Sequence, residues 1–246
     1  MSTNWYENFF SGLIAEVQRR IPQQTDAELA FLKQVLEPKR GDRILDVPCG
    51  TGRLSVPLAE DAFDVTGIDL SPDLLGDARK AAEEKKLTTR FEQREMRDLP
   101  WQNHFHHAFC FGNSFSYLGE DGNRAFVQAV FRALKPRGRF VLETHFAAEC
   151  LFQQAIPKRW FPFGDMFFLH DTNFDPATAE QTSTYILIRG SQVEKKTAVY
   201  NVYLCRDLLK LFADAGFIDI QSFGSLSREP FRVGSAGLWI VARKPG

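Results

Sequence analysis

The sequence has few cysteines and no long apolar run. Its four cysteines are far apart and form no CxxC pair (Cys49, Cys110, Cys150 and Cys205), so we expect a reducing compartment and no short disulfide framework. No stretch approaches the roughly 18 apolar residues of a membrane-spanning helix. The start, MSTNWYENFF, has no basic segment followed by an apolar run, unlike a signal peptide. These features predict a cytoplasmic protein with no membrane partner.

An excess of charge of one sign is also missing. The 30 Lys and Arg residues nearly balance the 31 Asp and Glu residues, for a formal net charge of −1. A protein that grips a nucleic-acid backbone is usually far more basic. We therefore expect a small-molecule or protein partner and no nucleic acid, and the oligomeric state stays open. With 246 residues, 44% of them hydrophobic, the chain can form one α/β core with an elaboration.

The first 40 residues predict two helices. In FFSGLIAEVQRRI, apolar residues recur at steps of three and four, which is the spacing of one buried helical face. Pro22 ends this helix. The segment AELAFLKQVLE predicts a second helix that ends before Pro38. We interpret residues 1–40 as an N-terminal helical cap.

Short apolar strands alternate with helices after residue 40. The strand-like segments are RILDVPC, DVTGIDL, TTRFEQREM, HHAFCFG and RFVLETH, and the same rhythm returns in CRDLLKLFADAG, FIDIQSF and GLWIVARK. Such alternation predicts a parallel sheet with helices on both faces. Residues 41–145 and 204–246 are therefore expected to form one core.

Residues 146–203 interrupt this alternation. Three consecutive segments, FFLHDTNFD, AEQTSTYILIRG and SQVEKKTAVYNVYL, are typical of antiparallel strands with turns near Asp175 and Gly190. A connection of this length in a compact domain is usually functional. We expect it to form a lid over the binding edge of the core. Its aromatic residues would either wall a ligand or form the lid's own core (Trp160, Phe161, Phe163, Phe167 and Phe168).

The segment ILDVPCGTGR is the most informative part of the sequence. A strand ends in Asp46 and runs through a turn with Gly50 and Gly52 into a helix, so that a ligand can approach the backbone. Bare amides at such a turn suit phosphates, but the carboxylate of Asp46 would repel them. No Lys-Ser or Lys-Thr follows the glycines. The turn suits a ligand with a cationic amine, and S-adenosylmethionine carries an ammonium and a sulfonium.

Over about residues 40–145, and again over 204–244, the chain resembles the class I S-adenosylmethionine-dependent methyltransferases. The first motif of that family is an acid followed by three glycines at alternate positions. Here Asp46, Gly50 and Gly52 match it, with Pro48 in place of the first glycine. The resemblance implies an α/β fold with a Rossmann-like, mostly parallel seven-stranded sheet. It also implies S-adenosylmethionine as cofactor and methyl transfer to an oxygen or nitrogen of a small molecule.

The resemblance further implies which residues bind the cofactor. Asp46 would bind the methionine ammonium, and Asp69, which ends the next strand, would accept hydrogen bonds from both ribose hydroxyls. The other implied cofactor contacts are Cys49, Gly50, Gly52, Leu70, Glu95, Met96, Gly112 and Asn113. Tyr6 and Phe10 have two equal interpretations, as part of an apolar helix face or as rings over the sulfonium.

The substrate side is implied at FGNSFSYLG, where Phe115 and Tyr117 would contact the acceptor and Tyr117 would take part in catalysis. His145, at the end of the fifth strand, has two readings. It would act either as a general base, because the ordinary pKa of histidine lies near neutrality, or as a structural residue. Arg189 either clamps an anionic substrate or is solvated, and Trp160 would line the acceptor site.

Metal chemistry and two other functions are the alternatives to this assignment. The cluster His104, His106 and His107 suggests zinc, but no Cys or acid lies at ligand spacing. Surface turn histidines are the favoured interpretation, and no metal is expected. The rival functions keep the fold but use a protein or RNA acceptor, or bind the cofactor without catalysis.

Overall fold

Two β-sheets organise the fold. The computed structural model describes residues 4–153 and 156–246, so residues 1–3 of the predicted cap and 154–155 of the predicted lid lie outside the described residues. The strands are β1 (Arg43–Asp46), β2 (Asp64–Asp69), β3 (Arg90–Gln93), β4 (Phe105–Cys110), β5 (Leu134–Thr144), β6 (Lys158–Phe163), β7 (Met166–Asp175), β8 (Glu180–Arg189), β9 (Gln192–Asn201), β10 (Ile218–Phe223) and β11 (Leu238–Arg243).

The larger sheet has seven strands in the order β10-β11-β5-β4-β1-β2-β3. Strands β1 to β5 pair in parallel, whereas β11 runs antiparallel to both of its neighbours. The predicted mostly parallel, seven-stranded sheet is confirmed. The chain adds β2 and β3 on one side of β1, and β4 and β5 on the other. A crevice therefore opens at the carboxyl end of β1.

Helices cover both faces of this sheet. They are α1 (Gly12–Arg20), α2 (Thr25–Leu36), α3 (Ser55–Glu60), α4 (Pro72–Glu84), α5 (Gly119–Ala133), α6 (Ala148–Leu151) and α7 (Cys205–Asp214), after a 3-10 turn at Trp5–Glu7. Successive residues of β5 belong to different hydrophobic clusters. Phe140 packs with α5 and α7, and Val141 packs with α2 and α3, as the two-residue period of a strand requires. Among the described residues, no helix has the length and apolarity that crossing a bilayer demands.

Local sequence signals position the two turns that follow β1 and β2. Gly50 and Gly52 have φ values of +54° and +75°, in the left-handed region that glycine adopts readily. A Cβ atom on Gly52 would lie 3.0 Å from the Cβ of Ala78, so the close approach of α4 also requires glycine there. Helix α4 begins after Ser71, whose side chain accepts a 3.3 Å hydrogen bond from the backbone of Leu74.

The smaller sheet is antiparallel and has the order β6-β7-β8-β9. The sequence patterns predicted three of these strands and missed β6. Pro162 in β6 weakens the sequence signal, because proline donates no hydrogen bond to a neighbouring strand. The structure tolerates this proline because β6 is an edge strand.

The inner face of the smaller sheet packs against α1 and the residues before it. Phe9 and Ile14 share one hydrophobic cluster with Phe168 and Leu187. Ser71, at the start of α4, donates a 3.2 Å hydrogen bond to the carbonyl of Phe10. The N-terminal segment therefore contacts the smaller sheet and, through Ser71, the carboxyl edge of the larger one.

Candidate functional site

A cavity of about 190 Å³ lies at the carboxyl ends of β1, β2 and β4. Most of the residues that the sequence implicated in cofactor binding line it, although they come from five separate segments of the chain. They are Tyr6, Phe10, Asp46, Cys49, Gly50, Asp69, Leu70, Glu95, Met96 and Gly112, and Tyr117 lines it as well.

Asp46 is the most deeply buried acid of the cavity, with 2% of its surface exposed. One carboxylate oxygen accepts a 2.6 Å hydrogen bond from Oγ of Ser55. Burial raises the pKa of Asp46 to about 8, against the opposing effects of Ser55 and Arg53. A positively charged ligand group would reverse this shift, so the site favours a cation beside Asp46.

Asp69 holds the backbone on two sides of the cavity. Its Oδ2 accepts a 2.8 Å hydrogen bond from the N–H of Gly50, and its Oδ1 accepts one of 2.8 Å from the N–H of Ser71. Burial raises the pKa of Asp69, and these backbone hydrogen bonds partly oppose the shift. Each carboxylate oxygen can accept a further hydrogen bond, so Asp69 can also bind hydroxyl donors.

Glu95 is linked to the N-terminal segment through Arg97. Its Oε2 lies 2.6 Å from Nε of Arg97, and Nη2 of Arg97 donates a 3.1 Å hydrogen bond to the hydroxyl of Tyr6. Burial raises the pKa of Tyr6, and the nearby Arg97 partly opposes it. These contacts fix Tyr6 at the cavity beside the acid.

Tyr117 joins the cavity to the smaller sheet. Its ring packs against Trp5 and Tyr200, with centroid separations of 5.1 and 5.6 Å. Burial raises the pKa of Tyr117 well above its ordinary value. Its hydroxyl therefore stays neutral and can donate or accept a hydrogen bond inside the cavity.

Asn113 faces β5 rather than the cavity, which differs from the prediction that it borders the cofactor. Its N–H donates a 2.8 Å hydrogen bond to Oε2 of Glu143, and its Oδ1 accepts one of 2.8 Å from the backbone of His145. These contacts hold the adjacent Gly112, which does line the cavity, at the end of β4.

His145 lies outside the cavity, and both of its ring nitrogens are engaged. Nε2 lies 2.7 Å from Oε1 of Glu143, and Nδ1 lies 2.8 Å from the carbonyl oxygen of Ala236. A carboxylate and a carbonyl oxygen both accept hydrogen bonds, so this arrangement favours the doubly protonated imidazolium. Burial lowers the pKa of His145, but Glu143 and the Ala236 carbonyl raise it more, so the net shift is upward. This arrangement argues against the predicted general base and favours the structural alternative.

Three predicted substrate residues do not line the cavity. Phe115 is 1% exposed and packs in the core against Phe126 and Tyr203. Arg189 pairs with Glu16 at 2.6 Å and with Asp165 at 2.8 Å. Trp160 projects, 69% exposed, from the outer face of the smaller sheet. Gly52 also lies outside the cavity, since its role is to let α4 pack closely.

The smaller sheet influences the cavity indirectly. Among the described residues of 146–203, none lines the cavity. Phe10 and Tyr117 line it and also pack against the hydrophobic cluster that contains Phe168 and Tyr200. The predicted aromatic wall is therefore provided by the N-terminal segment and Tyr117, with the smaller sheet behind them.

Two of the three clustered histidines differ from the favoured interpretation as surface turn residues, whereas His104 lies just before β4. His106 and His107 lie within β4, and Nε2 of His107 lies 3.4 Å from Asp42. Burial lowers the pKa of His107 to about 4. Within residues 4–153 and 156–246, no three potential ligands stand close enough to hold a metal ion.

The cavity also contains residues that the sequence analysis missed. Arg53 directly follows Gly52, so its place after the glycine turn was a usable signal. Gln18, Arg19 and Gln23 come from α1 and the loop after it, where no local pattern marks them. The remaining lining residues are Pro48, Thr51, Leu54, Ile68, Ser71, Leu74, Arg94, Phe111, Ser114 and Leu118.

Comparison with known sequences points to one domain family. Residues 44–138 match the family described as "Methyltransferase domain". A protein of Geobacillus sp. (strain WCH70) named as a methyltransferase is 35% identical over 137 residues, 53% of this chain and 56% of that protein. A glycine/sarcosine N-methyltransferase of Parasynechococcus marenigrum (strain WH8102) is 29% identical over 213 residues, 84% of this chain and 73% of that protein. The chain spans about half the length of the first curated relatives that it matches, 56% and 44%.

Comparison with solved structures agrees on the fold. An S-adenosylmethionine-dependent methyltransferase from Clostridium acetobutylicum ATCC 824 superposes with a TM-score of 0.78. The alignment covers 94% of this chain and 95% of that one at 17% identity. At this identity the likeness establishes a shared fold across almost the whole chain.

Proposed function

We propose that this protein transfers a methyl group from S-adenosylmethionine to a small molecule, and the match of residues 44–138 to the family described as "Methyltransferase domain" supports the proposal. The observation that carries the proposal is the pair Asp46 and Asp69. These two buried carboxylates end neighbouring parallel strands, and both line one cavity beside the Gly50 turn. A cationic amine and a ribose diol are the groups that such a pair can bind together.

The residues of the cavity fit this cofactor. The raised pKa of Asp46 reflects a buried carboxylate with little compensating positive charge, and the ammonium of the cofactor would supply it. Asp69 is already oriented by two backbone N–H groups and would accept hydrogen bonds from the ribose. Leu70 and Met96 would enclose the adenine. When bound, the cofactor supplies a methyl group on a sulfonium.

The acceptor would enter beside Gly112, Ser114 and Tyr117, at the end of β4. Tyr117 is neutral and buried, so we assign it to orient the acceptor by a hydrogen bond. Tyr6 and Phe10 close the cavity from the N-terminal side. These side chains would exclude water and align the acceptor for in-line displacement of the methyl group.

A nitrogen acceptor on a small molecule is the more specific form of this proposal. It is supported by the similarity to a glycine/sarcosine N-methyltransferase along most of the chain; an oxygen acceptor is the alternative. We retain the predicted division into an N-terminal cap (1–40), a core (41–145 and 204–246) and a lid (146–203), with a cytoplasmic location. In this division the lid acts through Phe10 of the cap and Tyr117 of the core, because both residues line the cavity and pack against the hydrophobic cluster of the lid's sheet.

The experiment that tests the proposal is methyl transfer from S-adenosylmethionine with an isotopic methyl label into a cell metabolite extract. We expect a labelled small molecule, identified by mass, whose amount falls strongly with the variant Asp69→Ala. Labelled protein or RNA in a whole lysate, without a labelled metabolite, would favour the macromolecular acceptor. Cofactor binding without any labelled product would favour the non-catalytic module.

A further inference from the structure

Lys196, on β9, is bound by the backbone of the N-terminal segment. Its ammonium donates hydrogen bonds to the carbonyls of Asn8, Phe9 and Ser11 at 2.7, 2.8 and 3.2 Å. Oγ of Ser11 lies 2.7 Å from the same nitrogen, so four oxygens share the three N–H donors of the ammonium. The side chain is only 18% exposed, so these oxygens replace most of the water around the charge.

Glu194, two residues earlier on the same face of β9, binds the start of α1. Its Oε2 accepts a 2.9 Å hydrogen bond from the N–H of Leu13, and its Oε1 lies 3.5 Å from Nζ of Lys196. A Cβ atom on Gly12 would overlap the Glu194 carboxylate, and Gly12 has a φ of +61°. The chain is thus shaped to bring this acid against the helix N-terminus, where a negative charge is favourable.

We use the name strap for residues 4–20, the segment that these two side chains hold. The strap contributes Tyr6, Phe10, Gln18 and Arg19 to the cavity. Two of the carbonyls bound by Lys196 belong to the residues on either side of Phe10. The ammonium therefore holds the backbone at the point where the strap places a ring in the cavity.

The contacts of the strap with the core are fewer and weaker than its contacts with β9. Oγ of Ser71 donates a 3.2 Å hydrogen bond to the carbonyl of Phe10, and Arg97 donates one of 3.1 Å to the Tyr6 hydroxyl. Arg19 pairs with Asp77 at 2.5 Å, but about two fifths of each side chain is exposed, where an ion pair contributes little. Most of the restraint on the strap therefore comes from the smaller sheet.

We propose that Lys196 and Glu194 are positioning residues that hold the strap closed over the cofactor cavity and thereby slow release of the cofactor. This inference rests on the proposed function for the identity of the ligand. Neither residue lines the cavity. Their effect is transmitted through the strap backbone, because a ligand enclosed by Tyr6 and Phe10 leaves only when the strap moves away.

The test compares Lys196→Met, which keeps the aliphatic stem and removes the charge, with Lys195→Met on the exposed opposite face of the same strand. Hydrogen–deuterium exchange of residues 4–20 is measured on the ligand-free proteins. The dissociation rate of S-adenosylhomocysteine is measured by stopped-flow fluorescence, for which Trp5 in the strap is a reporter. We expect faster exchange in the strap and dissociation faster by about tenfold for Lys196→Met, and changes below about twofold for Lys195→Met.

Partial restoration of the slow dissociation by Lys196→Arg would support a positioning role, because a guanidinium can still donate to several carbonyls. Should Lys196→Met fail to fold, Glu194→Gln tests the same contact set. Faster exchange in the strap with unchanged dissociation of S-adenosylhomocysteine would overturn the inference and leave the proposed function intact. A wild-type protein that binds no S-adenosylhomocysteine would refute the proposed function and, with it, the role in cofactor release.

Discussion

The backbone N–H of Gly50 donates a 2.8 Å hydrogen bond to Oδ2 of Asp69, which ties the turn after β1 to the end of β2. The second oxygen of the same carboxylate binds the N–H of Ser71 at the start of α4. The side chain proposed to bind the ribose therefore also shapes the wall on which the cofactor would lie. Binding and local stability are coupled at this residue.

Asp69→Ala should lower both the affinity for S-adenosylhomocysteine and the stability of the ligand-free protein. Each lost hydrogen bond to the carboxylate is worth about 1.5–3 kcal/mol. Calorimetric titration and a thermal melt measure the two effects. Asp69→Asn is the matched variant, and we expect an intermediate loss because its amide oxygen still accepts one of the two backbone N–H groups. Unchanged affinity in the alanine variant would remove Asp69 from the cofactor site.

Asp46 should make the ligand-free protein less stable as the pH rises. Its pKa is about 8 in the folded state against an ordinary value of 3.8, so between these values the folded state binds more protons than the unfolded state. The contribution of Asp46 to the free energy of unfolding therefore falls from pH 4 to pH 8. We expect Asp46→Asn to become more stable relative to the wild type over this range. Denaturant titrations measure the difference in free energy of unfolding between the wild type and Asp46→Asn. A difference that does not change with pH would contradict the raised pKa of Asp46.

Binding of S-adenosylhomocysteine near neutral pH should release a proton from Asp46. The ammonium of the ligand favours the ionised carboxylate, so the pKa of Asp46 falls on binding. Calorimetric titrations in two buffers of different ionisation enthalpy measure this release. Asp46→Asn should bind more weakly and lose the buffer dependence. If the wild type and Asp46→Asn released the same number of protons, the released proton would come from a group other than Asp46.

The pair formed by His145 and Glu143 should stabilise the fold most at low pH. Because the folded-state pKa of His145 is raised, its stabilising effect is complete below the ordinary pKa of 6.5 and is lost as the pH rises through the folded value. His145→Gln should therefore lose more stability at pH 6 than at pH 9. His104→Gln is a control with the opposite pH dependence. Because burial lowers the pKa of His104, this variant should lose less stability at pH 6 than at pH 9. Equal losses at both pH values would show that the ion pair contributes nothing.

Phe115→Ala should lower the stability and leave the direct cofactor contacts in place. Phe115 is 1% exposed in the core, and truncation of a buried phenylalanine costs about 3–5 kcal/mol. Trp160→Ala, at a position 69% exposed, should change the free energy of unfolding by less than about 0.5 kcal/mol. Chemical denaturation measures both variants. A mild effect of Phe115→Ala on stability would reopen its predicted contact with the substrate.

The sequence by itself determined the alternation of strands and helices and the position of the glycine turn after β1. Asp46 and Asp69 are the last residues of two strands, and Gly50 lies in the turn after the first of them. Neighbouring parallel strands bring their carboxyl ends to one edge of the sheet. Each of these residues was therefore placed by local pattern and by one rule of sheet geometry.

Only the tertiary structure decided which distant segments reach the cavity. Gln18 and Arg19 lie in a helix whose pattern shows one apolar face, and nothing local indicates that its polar side meets the cofactor turn. Trp160 and Arg189 have residue types suited to a substrate site, yet one projects from the outer face of the smaller sheet and the other pairs with Glu16. The position of each residue depends on how separate elements pack together. Because burial of apolar surface is non-directional, this packing leaves no periodic signal in the sequence.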